Sequence, residues 1–207
     1  MMNLQDLSFR LYALGSHPAF RRNPPAVLGR AATWALHCLL GVPARARFRR
    51  WRMTLHLPAK WRGGGSTSPY LFREDYEPEL LLLERFLQPG MTFIDGGANT
   101  GVFTFVAASL VGSSGRVIAF EPGTDCFAAL TQSRRLNRYE HVTLCNQALS
   151  NQTGKARLFH HHDQANSYSL GGEGSSTVSS EEVKTTTLDY IVAQEQPASV
   201  DLVKLDV

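Results

Sequence analysis

Residues 91–149 alternate short apolar runs with longer stretches of helical spacing. The runs at 91–95, 116–120 and 142–149 are short and rich in β-branched and aromatic residues, so they read as buried strands. Between them, 100–111 and 124–137 read as helices. The first is ended by Gly112 to Gly115, and Phe127, Leu130 and Leu136 give the second its inward face. A helix over 74–88 is expected before the first strand. Glu74, Asp75, Glu77 and Glu79 suit its opening turns, where the helix dipole favours negative charge, and Pro89-Gly90 ends it. Its apolar stripe is Leu80, Leu83, Phe86 and Leu87. Such alternation predicts βαβ units, hence an α/β fold with a mostly parallel sheet and right-handed crossovers. After Ser150 the pattern changes. Short edge strands are expected at 155–159 and 183–187, flanking a polar, Gly- and Ser-rich stretch at 160–180. A short helix at 188–193 and a final strand at 200–207 follow, the latter apolar enough for a buried parallel position.

Ahead of this body lies a different kind of sequence. Val27, Ala31, Trp34, Ala35 and Cys38 recur at helical spacing within an apolar run at 26–42. Arg21 and Arg22 precede the run, and Arg45, Arg47, Arg49, Arg50 and Arg52 follow it. Arg30 and His37 interrupt it, and it falls short of the roughly 20 apolar residues that a spanning helix needs. Two readings remain. One is a helix packed on the body with solvated arginines. The other is a basic amphipathic helix on an anionic membrane surface, giving residues 21–52 a peripheral membrane contact. Nucleic acid is not expected as a partner, because no aromatic-basic sheet pattern or zinc module accompanies the charge. The three glycines of Arg62 to Pro69 mark a boundary. The expected division is therefore a basic arm at 1–62, a linker at 63–73 and a domain at 74–207.

Composition sharpens this division. The chain has 207 residues and a net charge of +3. Residues 1–62 hold eleven Lys and Arg against one acid, whereas the rest hold ten against seventeen. A hydrophobic content of 43% excludes wholesale disorder. Three widely spaced cysteines without a C-x-x-C pair argue against a disulfide scaffold or structural zinc, and point to a reducing, cytoplasmic setting. His160-His161-His162-Asp163 is read as a solvated loop, since consecutive histidines on a strand diverge, so no metal is expected. Asn166, Ser167 and Ser169 are candidates for a substrate lid.

The chemistry is expected in the segment Phe93 to Gly101, where a buried strand enters glycines and then a helix. Such a turn lets the backbone approach a ligand, and the helix N-terminus offers unpaired N–H groups. Glu121 lies 26 residues after Asp95 at the tip of the second strand, where an acid can accept both hydroxyls of a ribose. Together these predict a nucleoside site. The loop reads G-x-A-x-x-G from Gly96 to Gly101, without the middle glycine of a dinucleotide fingerprint, and no G-K-[ST] follows. S-adenosylmethionine suits it better: its ammonium wants an acid such as Asp95, and its carboxylate wants backbone N–H groups. An NAD-linked oxidoreductase and a non-catalytic nucleoside-binding remnant are the competing readings.

The body resembles the FkbM family of S-adenosylmethionine-dependent methyltransferases. The family pattern D-x-G-A-N-x-G is met by Asp95, Gly97, Ala98, Asn99 and Gly101, and its E-P by Glu121-Pro122. Ala148-Leu149-Ser150 and Thr187-Leu188-Asp189 meet two further motifs, and Asp201, Leu202, Lys204, Asp206 and Val207 meet D-L-x-K-x-D-V. The resemblance covers about residues 75–207. It implies a Rossmann-like class I methyltransferase sheet with an N-terminal helical basic arm. It also implies transfer of a methyl group to a hydroxyl of a small molecule or sugar. Asp95, Gly97, Ala98, Asn99, Gly101, Glu121, Gln147 and Ala148 are then the expected cofactor contacts. Asp206, at a strand tip, is the expected substrate or base residue, with Lys204 on the same face either beside it in catalysis or in a structural pair. In the family, E-G and more of the sheet follow K-x-D-V, whereas this chain ends at Val207. The sheet is therefore expected to be incomplete at its C-terminal side, with an open edge on the last strand.

Overall fold

A computed structural model describes residues 14–60, 65–161, 168–169 and 177–206. Its centre is a four-stranded, all-parallel sheet. Strands β3 (Thr92–Gly96), β4 (Arg116–Phe120) and β5 (Val142–Cys145) follow one another outward, joined by α5 (Val102–Val111) and α6 (Thr124–Asn137). Strand β10 (Leu202–Leu205) then pairs on the other side of β3, giving the order β10-β3-β4-β5. The chain thus reverses direction between β3 and β10. In open α/β sheets that crevice, beyond the carboxyl ends of the strands, is where ligands bind. This is the parallel α/β sheet expected from the alternation, with the Rossmann-like arrangement that the family resemblance implied.

β4 and α6 keep the expected bounds because their signals are local and agree. β3 and β4 are buried along nearly their whole length, as continuous apolar runs require. Elsewhere the structure corrects the reading. The expected helix at 74–88 is a 3-10 turn at Arg73–Asp75 and then a short helix, α4 (Leu80–Phe86). Pro78 disfavours helical backbone at Glu77 and resets the start. Leu80, Leu83 and Leu87 are buried, but Phe86 is exposed. On α6, Phe127 is only half-buried and Leu136 exposed, whereas Cys126, Ala129, Leu130 and Ser133 face inward.

The expected strand at 142–149 is two strands, because the chain bends at Asn146. The Asn146 amide donates to the carbonyls of Glu121 (2.8 Å) and Pro122 (3.0 Å), ending the β4–β5 pairing. β6 (Ala148–Leu149) then joins a second sheet with β7 (Gly154–His161), β8 (Tyr168–Ser169) and β9 (Thr177–Thr186), in the order β6-β9-β7-β8. The two expected edge strands are therefore the long central pair of a separate sheet. Both strands reach into the polar stretch at 160–180, which concealed their length by resembling a loop. Helix α7 (Leu188–Glu195) follows, begun by the Thr187 side chain, which accepts from the Tyr190 amide. Strand β10 is parallel and lies at the sheet edge among the described residues, which is the open edge expected of the last strand and not the buried position its apolar run suggested. Val203 and Leu205 are exposed there because only one neighbour covers them. Val207, His162, Asp163, Asn166, Ser167 and residues 62–64 of the linker lie outside the described residues.

The basic segment holds the least expected element. After α1 (Pro18–Arg22) and α2 (Pro24–Leu40), residues 44–57 form a hairpin of β1 (Ala44–Phe48) and β2 (Met53–Leu57). Ala44, Ala46, Phe48, Met53, Leu55 and Leu57 are fully buried and share one hydrophobic cluster with β3, α5 and β4. The hairpin docks on α6 through polar bonds. The Asn137 side chain accepts from Thr54 N (2.8 Å) and donates to Thr54 O (2.7 Å), and Ser133 Oγ accepts from His56 N (2.8 Å). At its turn, Glu74 accepts the Arg49 amide, and Glu84 takes both the Arg50 guanidinium (2.5 Å) and the Trp51 indole N–H (2.8 Å). Helix α3 (Thr67–Phe72) fills the space between α2 and β1, packing the Tyr70 ring at a tilt against Trp34 at a centroid distance of 5.0 Å.

Candidate active site

The turn after β3 is held in one shape by the end of β4. The amides of Gly97 and Ala98 both donate to the Phe120 carbonyl, at 3.0 and 2.8 Å. The amide of Asn99 donates to Glu121 Oε2 at 2.7 Å, and Glu121 Oε1 accepts from Gly123 N at 2.8 Å. The two sequence signals, the glycine turn and the acid of the next strand, are thus in direct contact. Glu121 is 3% exposed. Burial pushes its carboxyl up to about 7, against the pull of the two amides.

The glycines of the turn serve packing as much as ligand access. At Gly97, with φ 77°, a Cβ would lie 2.1 Å from the Asp206 carbonyl oxygen, so the exit of β10 dictates glycine there. At Gly101, with φ 90°, a Cβ would meet Leu130 and Phe105. Ala98 is buried. Asn99 takes a left-handed backbone (φ 52°), and its side-chain oxygen lies 3.6 Å from Cys126 Sγ. A Cβ on Gly65, near the start of the linker, would fall 2.5 Å from that same oxygen, so the linker crosses directly over the turn. Helix α5 starts at Gly101 without a side-chain cap, which leaves its first-turn N–H groups to an outside acceptor.

Asp95 is fully buried, and both of its oxygens are engaged within the protein. Thr104 Oγ1 donates to one at 2.6 Å, and Lys204 Nζ to the other at 3.1 Å. The Lys204 ammonium thus stands at the carboxylate that was expected to meet a ligand ammonium. Lys204 also donates to the Gly97 carbonyl (3.0 Å) and lies over the Phe103 ring, while Asp206 Oδ2 is 3.8 Å away. Lys204 is closer to Asp95 than to Asp206, the partner expected for it, and staples β10 to the turn. Asp206 is different, with its side chain 82% exposed.

Gln147 is half-buried in the bend between β5 and β6. The Ala148 side chain packs with Leu158 and Val183 of the second sheet rather than toward the turn. Four residues were not foreseen. Thr104 lacked any signal beyond its place one turn into α5. Asn146 could have been suspected as a polar residue interrupting an apolar strand. Tyr76 and Glu77 were hidden in the expected helix, yet the charge of Asp206 reaches both, and that of Lys204 reaches Glu77. Burial raises both the Tyr76 hydroxyl and the Glu77 carboxyl above their ordinary values. Among the described residues no group of side chains is arranged to hold a metal ion.

The methyltransferase FkbM domain family matches residues 95–207, more than half of the chain. Similar solved structures include a protein assigned as an rRNA-methylase from Clostridium thermocellum (31% identity, TM-score 0.33) and a SAM-dependent O-methyltransferase from Thermotoga maritima (26%, 0.31). A third is a SAM-dependent methyltransferase from Agrobacterium tumefaciens (14%, 0.32). The matches cover 34%, 37% and 46% of this chain, and it spans 40%, 28% and 29% of theirs. No curated protein is significantly similar to the chain.

Proposed function

Because the chain belongs to the FkbM methyltransferase domain family, we propose that it uses S-adenosylmethionine to methylate a hydroxyl group on a small molecule or sugar. The observation that carries this reading is the 2.7 Å bond between Asn99 N and Glu121, which joins the turn and the strand-tip acid at the reversal point of the sheet. The residues fit the cofactor in two respects. Each Glu121 oxygen accepts one amide, and a carboxylate has lone pairs left for the two hydroxyls of a ribose. The uncapped start of α5 supplies N–H donors and a positive dipole end for a carboxylate. When bound, S-adenosylmethionine supplies an electrophilic methyl group on a sulfonium.

The protein's own part is positioning and proton removal. Lys204 fixes Gly97 and Asp95 relative to β10, and so sets the shape of the turn. Asp206 is the accessible base for an acceptor hydroxyl, and Glu77 is the second carboxylate of that corner. Burial raises the Glu77 carboxyl above its ordinary value. Isothermal titration calorimetry with S-adenosylhomocysteine tests the reading. The chain is expected to bind, and Glu121→Gln to weaken binding about tenfold or more, the worth of a hydrogen bond to a charged acceptor. Absence of binding, or identical binding by the variant, would remove it.

A further inference from the structure

Helix α2 turns two faces in opposite directions. Val27 and Trp34 are buried against the body. The other face shows Leu28, Ala32, Leu36, Leu39 and Leu40 to solvent, with Val42 just beyond its end. Leu39 is 75% exposed. The stripe contains no charge. Its one flanking hydroxyl, Thr33, is turned back on the helix to donate to the Gly29 carbonyl at 2.8 Å. A contiguous apolar face of this kind marks an interaction site. With 17 residues and basic flanks, the helix is too short and too interrupted to cross a bilayer, and no described helix qualifies as a span.

The charge around the stripe identifies its partner. No acid occurs between Leu7 and Arg73. Arg21 lies before α2, and Arg45 and Arg47 project from the outward face of β1 just after it. All three are exposed, and none has an ion pair among the described residues. On the flank of α2, Arg30 Nε and Arg73 Nη1 are buried without a hydrogen-bond partner. Arg73 also has a left-handed backbone (φ 56°). The Arg73 guanidinium lies over the Tyr70 ring, 4.3 Å from its centroid, so these two arginines belong to the packed side of α2.

We propose that α2 lies in the interface of an anionic phospholipid bilayer, its leucine stripe among the acyl chains and the exposed Arg21, Arg45 and Arg47 on headgroup phosphates. Docking through this face is independent of the cofactor site, which lies at the strand tips of β3, β4 and β10. The test is co-sedimentation of the full chain with vesicles of phosphatidylcholine alone or mixed with phosphatidylglycerol. Pelleting is expected with the mixed vesicles only, falling as salt rises. Leu36→Glu with Leu39→Glu, both at exposed positions, is expected to cut partition about tenfold or more while circular dichroism stays unchanged. Arg45→Glu with Arg47→Glu is expected to weaken it less. Equal pelleting with both lipid mixtures, or undiminished pelleting of the leucine variant, would overturn the proposal. So would a vesicle-free dimer, seen by light scattering, that the leucine variant abolishes, since the stripe would then belong to a second copy of the chain.

Discussion

Two acids stand at strand tips on either side of β3, in opposite surroundings. Glu121, beyond β4, is buried, and each oxygen is bonded to a backbone amide. Asp206, beyond β10, is largely exposed, and its nearest cation is 3.8 Å away. The same residue class at equivalent places in one sheet is thus built into the frame on one side and left open on the other. Chemistry that must hold one molecule and exchange another needs that division. A buried acid with fixed donors is pre-organised to grip, while an exposed one can meet an acceptor that comes and goes.

The largest effect should come from the link between the two sides. Lys204→Met would strand the Asp95 carboxylate in a dry interior and cost about 3–5 kcal/mol of stability, measured by urea unfolding. Adding Asp95→Asn should recover part of the loss if the pair is the cause. Next comes Gly97→Ala. Its backbone is left-handed and its new Cβ would collide with the Asp206 carbonyl, so about 2 kcal/mol or more should be lost, visible as a lower Tm. Asp206→Asn should matter least to the fold, changing stability by no more than about 0.5 kcal/mol, while it lowers methyl transfer at unchanged cofactor affinity. A destabilisation by Asp206→Asn comparable to that of Lys204→Met would erase the contrast between the two tips.

How much of this was legible depended on how far apart in sequence the partners lie. β4 and α6 follow from local periodicity, and the meeting of Asn99 with Glu121 follows from the βαβ unit that separates them by one crossover. The Lys204–Asp95 bond spans 109 positions and depends on β10 choosing β3 as its neighbour, which no local pattern encodes. The hairpin was missed for another reason. Ala44-Arg45-Ala46-Arg47-Phe48 has a two-residue period with every second side chain buried, but two of its three inward residues are alanine and both outward ones are arginine. It therefore reads first as a charge cluster and only second as a strand. Pro78 concealed Tyr76 and Glu77 in the same way, by breaking a helix that the charges around it suggested.

The raised carboxyl of Glu121 gives the account its most direct test. Its folded value, about 7, stands above the ordinary 4.5, so the fold loses stability as pH rises between these values. A ribose donating hydroxyl hydrogens favours the ionised form, so affinity for the nucleoside should rise through the same titration. Calorimetry with S-adenosylhomocysteine at pH 6 and pH 8, one unit on either side of about 7, should show binding roughly tenfold tighter at the higher pH. Glu121→Gln should bind weakly and equally at both. The same affinity at both pH values in the unaltered chain, or a slope that survives in the variant, would contradict the claim that this carboxylate holds the cofactor.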